Sequence, residues 1–400
     1  MRVIKHILLF LLFIPDMFAQ NVMTSSPYSM FGLGEIASGL YGQSAGMGGV
    51  AYGMHNPLLL NMENPAGLAG VDTCRLLADV SAFLKRERYR SGGNSTEAFT
   101  GNVSAITLGG RIMPRWYAAA GLTPYSSMGY YFKSDQPLEG TPASVVSSLF
   151  EGDGGLSKAS LTHAILLPAH FSVGINLNYI FGNLSQTETQ ESMSVSQKMY
   201  TQSFYADFGL QYQRQVNRQM QVTFGAVYGY KQRLKIENTM ALTTGSLETE
   251  TSKRNTNQYL PQFAGIGGAL RYKKWTYALD YTLRKYSSLT SGDSRIKFND
   301  KHELRAGISY PPTTYPSEGY WKRVTYKAGV TASTPYYKIN GKNGFVWRAC
   351  IGLGLPVQNG QINAAFFYDR LQMQDNALQR NIIGLTVTYT LSERFYNAKL

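Results

Sequence analysis

The sequence predicts an all-β protein: a roughly 14-stranded antiparallel transmembrane β-barrel with an N-terminal plug. Three observations carry this: a secretory leader, period-two alternation through the mature chain, and strand links that alternate short and long. Composition narrows the field first. Of 400 residues, 44% are hydrophobic and only 16% are charged, against about 25% charged in an average soluble domain. With 40 glycines, 28 tyrosines and 2 cysteines, the chain fits neither a collagen, a coiled coil, a disulfide scaffold nor a disordered segment. The net charge of +13 invites nucleic acid, anionic lipid or an acidic partner. The basic residues are spread along the strands without one basic stripe, which disfavours nucleic acid.

The leader comes first. Arg2 and Lys5 precede the apolar run Ile7 to Ile14, and Ala19 ends a short polar stretch. That is the layout of a signal peptide over residues 1–19, since eight apolar residues are far fewer than the roughly 20 that a membrane helix needs. Its removal takes away two positive charges and one negative, leaving +12. No later stretch is apolar enough for a helix, so a membrane protein here must be a barrel.

Alternation follows. Phe224, Tyr228 and Tyr230 alternate with Gly225, Gly229 and Lys231; Tyr277, Leu279 and Tyr281 with Ala278, Asp280 and Thr282; Ile383, Leu385 and Val387 with Gly384, Thr386 and Thr388. Apolar against small or polar is the pattern of lipid outside and a wet lumen inside. Short links are expected at Met113–Arg115, Pro168–His170, Val216–Arg218, Lys273–Lys274 and Pro356–Gly360. Long loops are expected near 90–98, 134–155, 187–199, 238–256, 288–299 and 371–379. Short turns belong to the periplasmic side, which puts both termini there; the long link Pro311–Arg323 breaks the rule. Trp116, Trp275 and Trp321 at one end, and Tyr336, Tyr337 and Trp347 at the other, are expected to form interfacial girdles.

Residues 20–74, assigned to the plug, lack long alternation and precede a barrel over 75–400. They carry Ser44-Ala45-Gly46-Met47-Gly48-Gly49 and Asn64-Pro65-Ala66-Gly67-Leu68. Here the chain resembles the FadL-like family of outer-membrane barrels, especially its Bacteroidetes-type members, which open with such a glycine-rich stretch and such a turn. The resemblance implies an outer-membrane location, a plug built around Gly46, Gly48, Gly49, Asn64 and Pro65, and passive uptake of hydrophobic or amphipathic small molecules. It also implies a lateral opening where Gly121 and Pro124 interrupt the third strand; a simple bulge is the plainer alternative there. A second role seen among such barrels is as a non-transporting subunit of a secretion or outer-membrane assembly machine, with other envelope proteins as partners. The chain departs from the family at its end, where Asn397-Ala398-Lys399-Leu400 follow the last aromatic residues.

Catalytic chemistry is scarce. No histidine pair has metal-ligand spacing, no nucleophile elbow occurs, and the glycines lack the G-x-G-x-x-G and GKS/GKT patterns, so no metal, cofactor or enzymatic role is expected. Cys74 and Cys350 read as small lining residues. Lys231, Arg233 and Lys235, continuing the parity of Gly229, are expected in the lumen with Arg284, as cations that hold an anionic head group. Arg86, Arg88 and Arg90 are expected on the outer surface, near phosphates of outer-membrane lipid and lipopolysaccharide.

Overall fold

A computed structural model describes residues 26–37, 39–91, 94–138, 141–245, 247–288, 296–311, 319–339, 341–374 and 379–394. The expected leader over 1–19 and the final residues 395–400 lie outside them.

The chain forms a closed 14-strand antiparallel barrel. Its strands are β1 (Arg75–Ser91), β2 (Asn94–Met113), β3 (Trp116–Ser127, resuming at Tyr130–Leu138), β4 (Thr141–Leu166) and β5 (Phe171–Gln190). Then come β6 (Met193–Asn217), β7 (Met220–Gly229, resuming at Gln232–Thr244) and β8 (Leu247–Leu260 with Gln262–Tyr272). The circle continues through β9 (Trp275–Lys285), β10 (Lys301–Tyr310), β11 (Thr325–Ser333), β12 (Gly344–Val357), β13 (Gly360–Met373) and β14 (Gln379–Arg394). Pairing of β14 with β1, from Arg75–Arg394 to Arg90–Gln379, closes it.

Outward positions carry the apolar side chains, as the alternation predicts. Phe204 is 79% exposed, Phe224 60% and Ile266 65%, while Thr223, Gly225, Asp280 and Thr388 face inward and are buried. In water these faces would be an aggregation hazard; in a bilayer they are the solvent-matched surface. Trp116, Trp275 and Trp321 flank the short-turn end, and Trp347 is 39% exposed near the loop end. Tyr336 and Tyr337 do not join it. They fold inward, where Tyr336 stacks on Tyr286 (4.9 Å between ring centres), because the short pairing of Ile296–Phe298 with Tyr337–Ile339 carries them over the lumen.

The long loops are the main correction. The described residues of 134–155, 187–199 and 238–256 mostly extend the strands, so β4 has 26 residues and β6 has 25. A bilayer crossing needs about 9–11 residues, which is what β9 to β11 have with 11, 10 and 9. At about 3.3 Å per residue, β6 is on the order of 80 Å of strand and β11 about 30 Å. The barrel therefore has a tall wall (β4 to β8) and a short one (β9 to β11). The extensions escape a periodicity reading because both of their faces are wet, so the alternation fades while Thr and Val keep the chain extended.

The first described residues lie inside the barrel. Tyr41–Val71 pack at the short-turn end through two short 3-10 helices, Gly42–Met47 and Pro65–Gly70. Ser26–Ala37 run past β3 nearer the loop end, where Ser29 bonds Gly129. Cys350 is buried against Leu40 and Ala45, whereas Cys74 is exposed just before β1 and lines nothing. Both thiols are free.

Candidate functional site: a luminal cavity and the β2–β3 seam

The inner segment is held by close contact and by buried polar bonds. Gly48 has φ of +73°, a left-handed conformation that a side chain would strain, and its neighbour Gly46 backs directly onto Gly352. Asn64 caps the second short helix, accepting from the Ala66 amide at 3.1 Å and donating to the Tyr52 carbonyl at 2.8 Å. Pro65 fills the first helical position and rests on Gly174 and Gly209. The barrel supplies the remaining partners. Asp280 accepts from the Ala51 and Tyr52 amides (2.6 and 3.0 Å). Asn176 donates to the Met62 carbonyl at 3.0 Å, and Lys327 to the Gln43 carbonyl at 3.0 Å. Burial lowers the pKa of His55, so the ring stays neutral beside Gln211, 3.0 Å away.

Above this body lies a cavity of about 330 Å³. Its wall is a charge network. Arg305 pairs with Glu303 (2.5 Å) and approaches Glu63 (3.9 Å), while Lys301 takes the other oxygen of Glu303 (2.6 Å). Arg348 pairs with Asp369 (2.9 Å), and Arg380 joins Asp369 (3.6 Å) to Glu35 (2.5 Å). Lys85, Lys158 and Asp207 also line it, with Tyr41, Tyr52, Tyr125, Tyr205 and Tyr286 between them. Paired charges in a semi-dry interior fix geometry more than they stabilise it. Glu35 and Glu63 belong to the inner segment, so the network ties that segment to the wall.

Of the four expected luminal cations, only Arg284 reaches the cavity, stacked on Phe263 at 4.5 Å. Lys231, Arg233 and Lys235 point outward, while Gln232, Leu234 and Ile236 are buried inside. The cause is a bulge. Gly229 pairs with Asp207, so an unbroken ladder would set Ile236 against Tyr200; it pairs with Thr201. One extra residue at Tyr230–Lys231 inverts every side chain beyond it. Pro261 breaks β8 at the same level, and a proline unable to donate to the ladder is the sequence signal that would have located the inversion.

The third strand behaves in a graded way. Gly121 still pairs with Thr107, and the β2–β3 ladder ends one step on, at Ile106–Leu122. Beyond it, β3 leaves β2, with a register shift against β4 between Pro124 and Ser126. The seam is occupied. Glu35 and Ile36 form a two-residue strand against Ser127 and Ser126, and the Ala37 amide donates to the Tyr125 carbonyl at 3.0 Å. The residues that sequence reasoning passed over, Arg305, Arg348, Arg380 and their carboxylates, have inward parity on their strands. Their pairing runs between strands, which periodicity does not reveal.

A barrel of 14 strands with an internal N-terminal segment and an interrupted third strand has the fold of FadL-like outer-membrane barrels. Solved structures of outer-membrane channels share the fold. They include the CymD monoaromatic hydrocarbon channel (13% identity, 92% of this chain and 100% of that one, TM-score 0.58). A Pseudomonas aeruginosa FadL homologue is similar (14%, 94% and 100%, 0.58), as is the Ralstonia pickettii toluene transporter TbuX (14%, 89% and 98%, 0.55). A search of curated proteins gives no match. A sequence profile described as BamG matches residues 2–399, and the chain belongs to the BamG family.

Proposed function

We propose that this barrel is a non-transporting subunit of an outer-membrane machine that handles proteins, in secretion or in assembly of outer-membrane proteins. The observation that carries the reading is the occupied seam: Glu35–Ile36 add a strand to β3 where an exit would lie, and Arg380 fastens Glu35 from β14, three strands round the ring. The charged cavity wall adds support, because an apolar molecule gains nothing there while ion pairs resist its passage. A protein partner has a matching surface. With the short turns on the periplasmic side, the β6–β7 and β8–β9 turns present Arg214, Arg218, Arg271, Lys273 and Lys274. The Lys273 amide clips the two turns together on the Gln219 carbonyl at 2.7 Å, and neither turn carries a carboxylate between 212 and 222 or 270 and 276. Such a surface fits an acidic partner. The Bacteroidetes-type membership suggested by the glycine-rich motif belongs to the same reading.

One observation favours a second reading, passive uptake of a hydrophobic or amphipathic small molecule: the cavity lies directly inside Thr123–Ser127, so withdrawal of Glu35–Ile36 would connect it to the membrane. Extraction in mild detergent separates the two. The subunit reading expects stoichiometric protein partners, and toluene flux into proteoliposomes no faster than into empty ones. A barrel that purifies alone and carries toluene would replace it with the second.

A further inference from the structure

Glu35–Ile36 cover only a short part of the β2–β3 seam. Above Ile106–Leu122, the described pairings of β2 are with β1, and those of β3 are with β4 and with Glu35–Ile36. Trp116–Ser127 is a 12-residue run, about the length of a bilayer crossing. With the short turns on the periplasmic side, the seam opens at the outer face of the membrane and continues above it.

The two faces of the seam differ in chemistry. Toward lipid stand Phe99 on β2, 71% exposed, and Leu122 on β3. Toward the lumen stand Thr100, Ser104, Thr123 and Ser126, whose buried hydroxyls have no hydrogen-bond partner among the described residues. Ser104 on one lip and Thr123 and Ser126 on the other line the cavity. Buried hydroxyls without partners are costly, and a strand edge at the hydrocarbon boundary is costlier still. A hydrocarbon or an acyl tail in the seam satisfies neither. An extended polypeptide satisfies both, because its amides and carbonyls repeat along the edge and its side chains alternate to the two faces. The molecule already holds one such case. Glu35–Ile36 run antiparallel to Ser126–Ser127, and the Tyr125 carbonyl accepts the Ala37 amide at 3.0 Å.

We propose that the seam is a docking site for an extended strand of another outer-membrane β-protein, which displaces Glu35–Ile36 and pairs with β3 at Tyr125–Ser127. The lips select its pattern: apolar residues toward lipid beside Phe99 and Leu122, alternating with hydroxyl or amide side chains toward the lumen beside Thr123 and Ser126. Main-chain pairing tolerates many sequences, which suits clients that share only this alternation. The docking site rests on the subunit reading above and names the kind of segment handled there.

A fluorescent, lysine-capped peptide of about ten alternating valine and threonine residues, a bilayer-crossing length, tests this by anisotropy on the full barrel in detergent. Its twin has esters in place of the amides. Three main-chain bonds lost at about fivefold each should weaken the twin on the order of a hundredfold. Glu35→Gln loosens the resident segment and should tighten peptide binding about fivefold. Residues 36 and 126 are register partners, close enough for a disulfide. In a Cys74→Ser background, Ile36→Cys with Ser126→Cys should block the peptide when oxidised and admit it again on reduction. Equal binding of the ester twin would overturn the proposal. So would unchanged binding by the oxidised lock, or no binding by Glu35→Gln, once heat-resistant migration confirms folded barrels. Failed peptide binding while protein partners still co-extract overturns the strand site and leaves the subunit reading standing. Peptide binding by a barrel that extracts alone overturns the subunit reading instead.

Discussion

The two parts of the inner segment are held in different ways. Tyr41–Val71 is interlocked with the barrel: its carbonyls and amides end on buried side chains of β5, β6, β9, β11 and β14, and its backbone lies against glycines of the wall. Ser26–Ala37 is strapped to it. Its hold includes a two-residue pairing, the Ala37–Tyr125 and Ser29–Gly129 bonds, bonds from Gln186 to the Met30 carbonyl and from the Tyr336 hydroxyl to the Gly34 carbonyl, packing of Met30 and Leu33, and the Glu35–Arg380 ion pair. The contrast teaches that one continuous segment can be structural at one end and releasable at the other. Local opening follows contact density, so any motion of this segment starts in the strap.

The largest effect should come from removing the close approach. A Cβ on Gly225 would lie 1.8 Å from the Tyr52 carbonyl oxygen, and backbone cannot yield that distance. Gly225→Val should cost more than about 4 kcal/mol and abolish the heat-resistant band in semi-native electrophoresis. A parent-like band would show that the body is not interlocked.

An intermediate effect should follow loss of a buried acceptor. Asp280→Ala orphans the Ala51 and Tyr52 amides, at a cost of about 1–3 kcal/mol for each donor left unsatisfied. The barrel should still form but melt earlier by circular dichroism. A cost under about 1 kcal/mol, the net value of an ordinary hydrogen bond, would mean that the amides find other partners.

The smallest effect, and the sharpest test of the contrast, lies in the strap. Glu35→Gln should change global stability by only about 1 kcal/mol, yet raise exchange of the Ala37 amide roughly fivefold. Unchanged exchange at Ala37, or an equal rise at Tyr52, would erase the distinction between strap and body.

Much of this was legible in the sequence, for reasons that differ by region. Strand number and short turns came through because lipid outside and water inside impose period two on 222–230 and 383–391. The tall wall did not, since past the membrane nothing distinguishes its two faces. Arg284 was placed correctly because no bulge separates it from the alternation of β9. Lys231, Arg233 and Lys235 were not, because the inverting residue is an ordinary one and its cue, Pro261, stands on the next strand. The seam was half legible: Pro124 marks where β3 leaves β2, but that Glu35–Ile36 fill the place depends on a contact across some ninety residues. The luminal ion pairs needed the closed ring before any partner could be assigned.

The bonds from the inner body to late strands bear on how the molecule is made. Gly42 waits for Thr388, Gln43 for Lys327 and Ala51 for Asp280, so an early part of the chain has its polar groups satisfied by much later ones. Until the last strands arrive, those groups need water, whereas the outward faces of β5 and β6 already seek lipid. Insertion strand by strand would strand wet backbone inside hydrocarbon. The topology instead favours a nascent barrel that gathers around its own N-terminus at the membrane surface and enters nearly closed, with the inner segment serving as the mandrel on which the wall is wound.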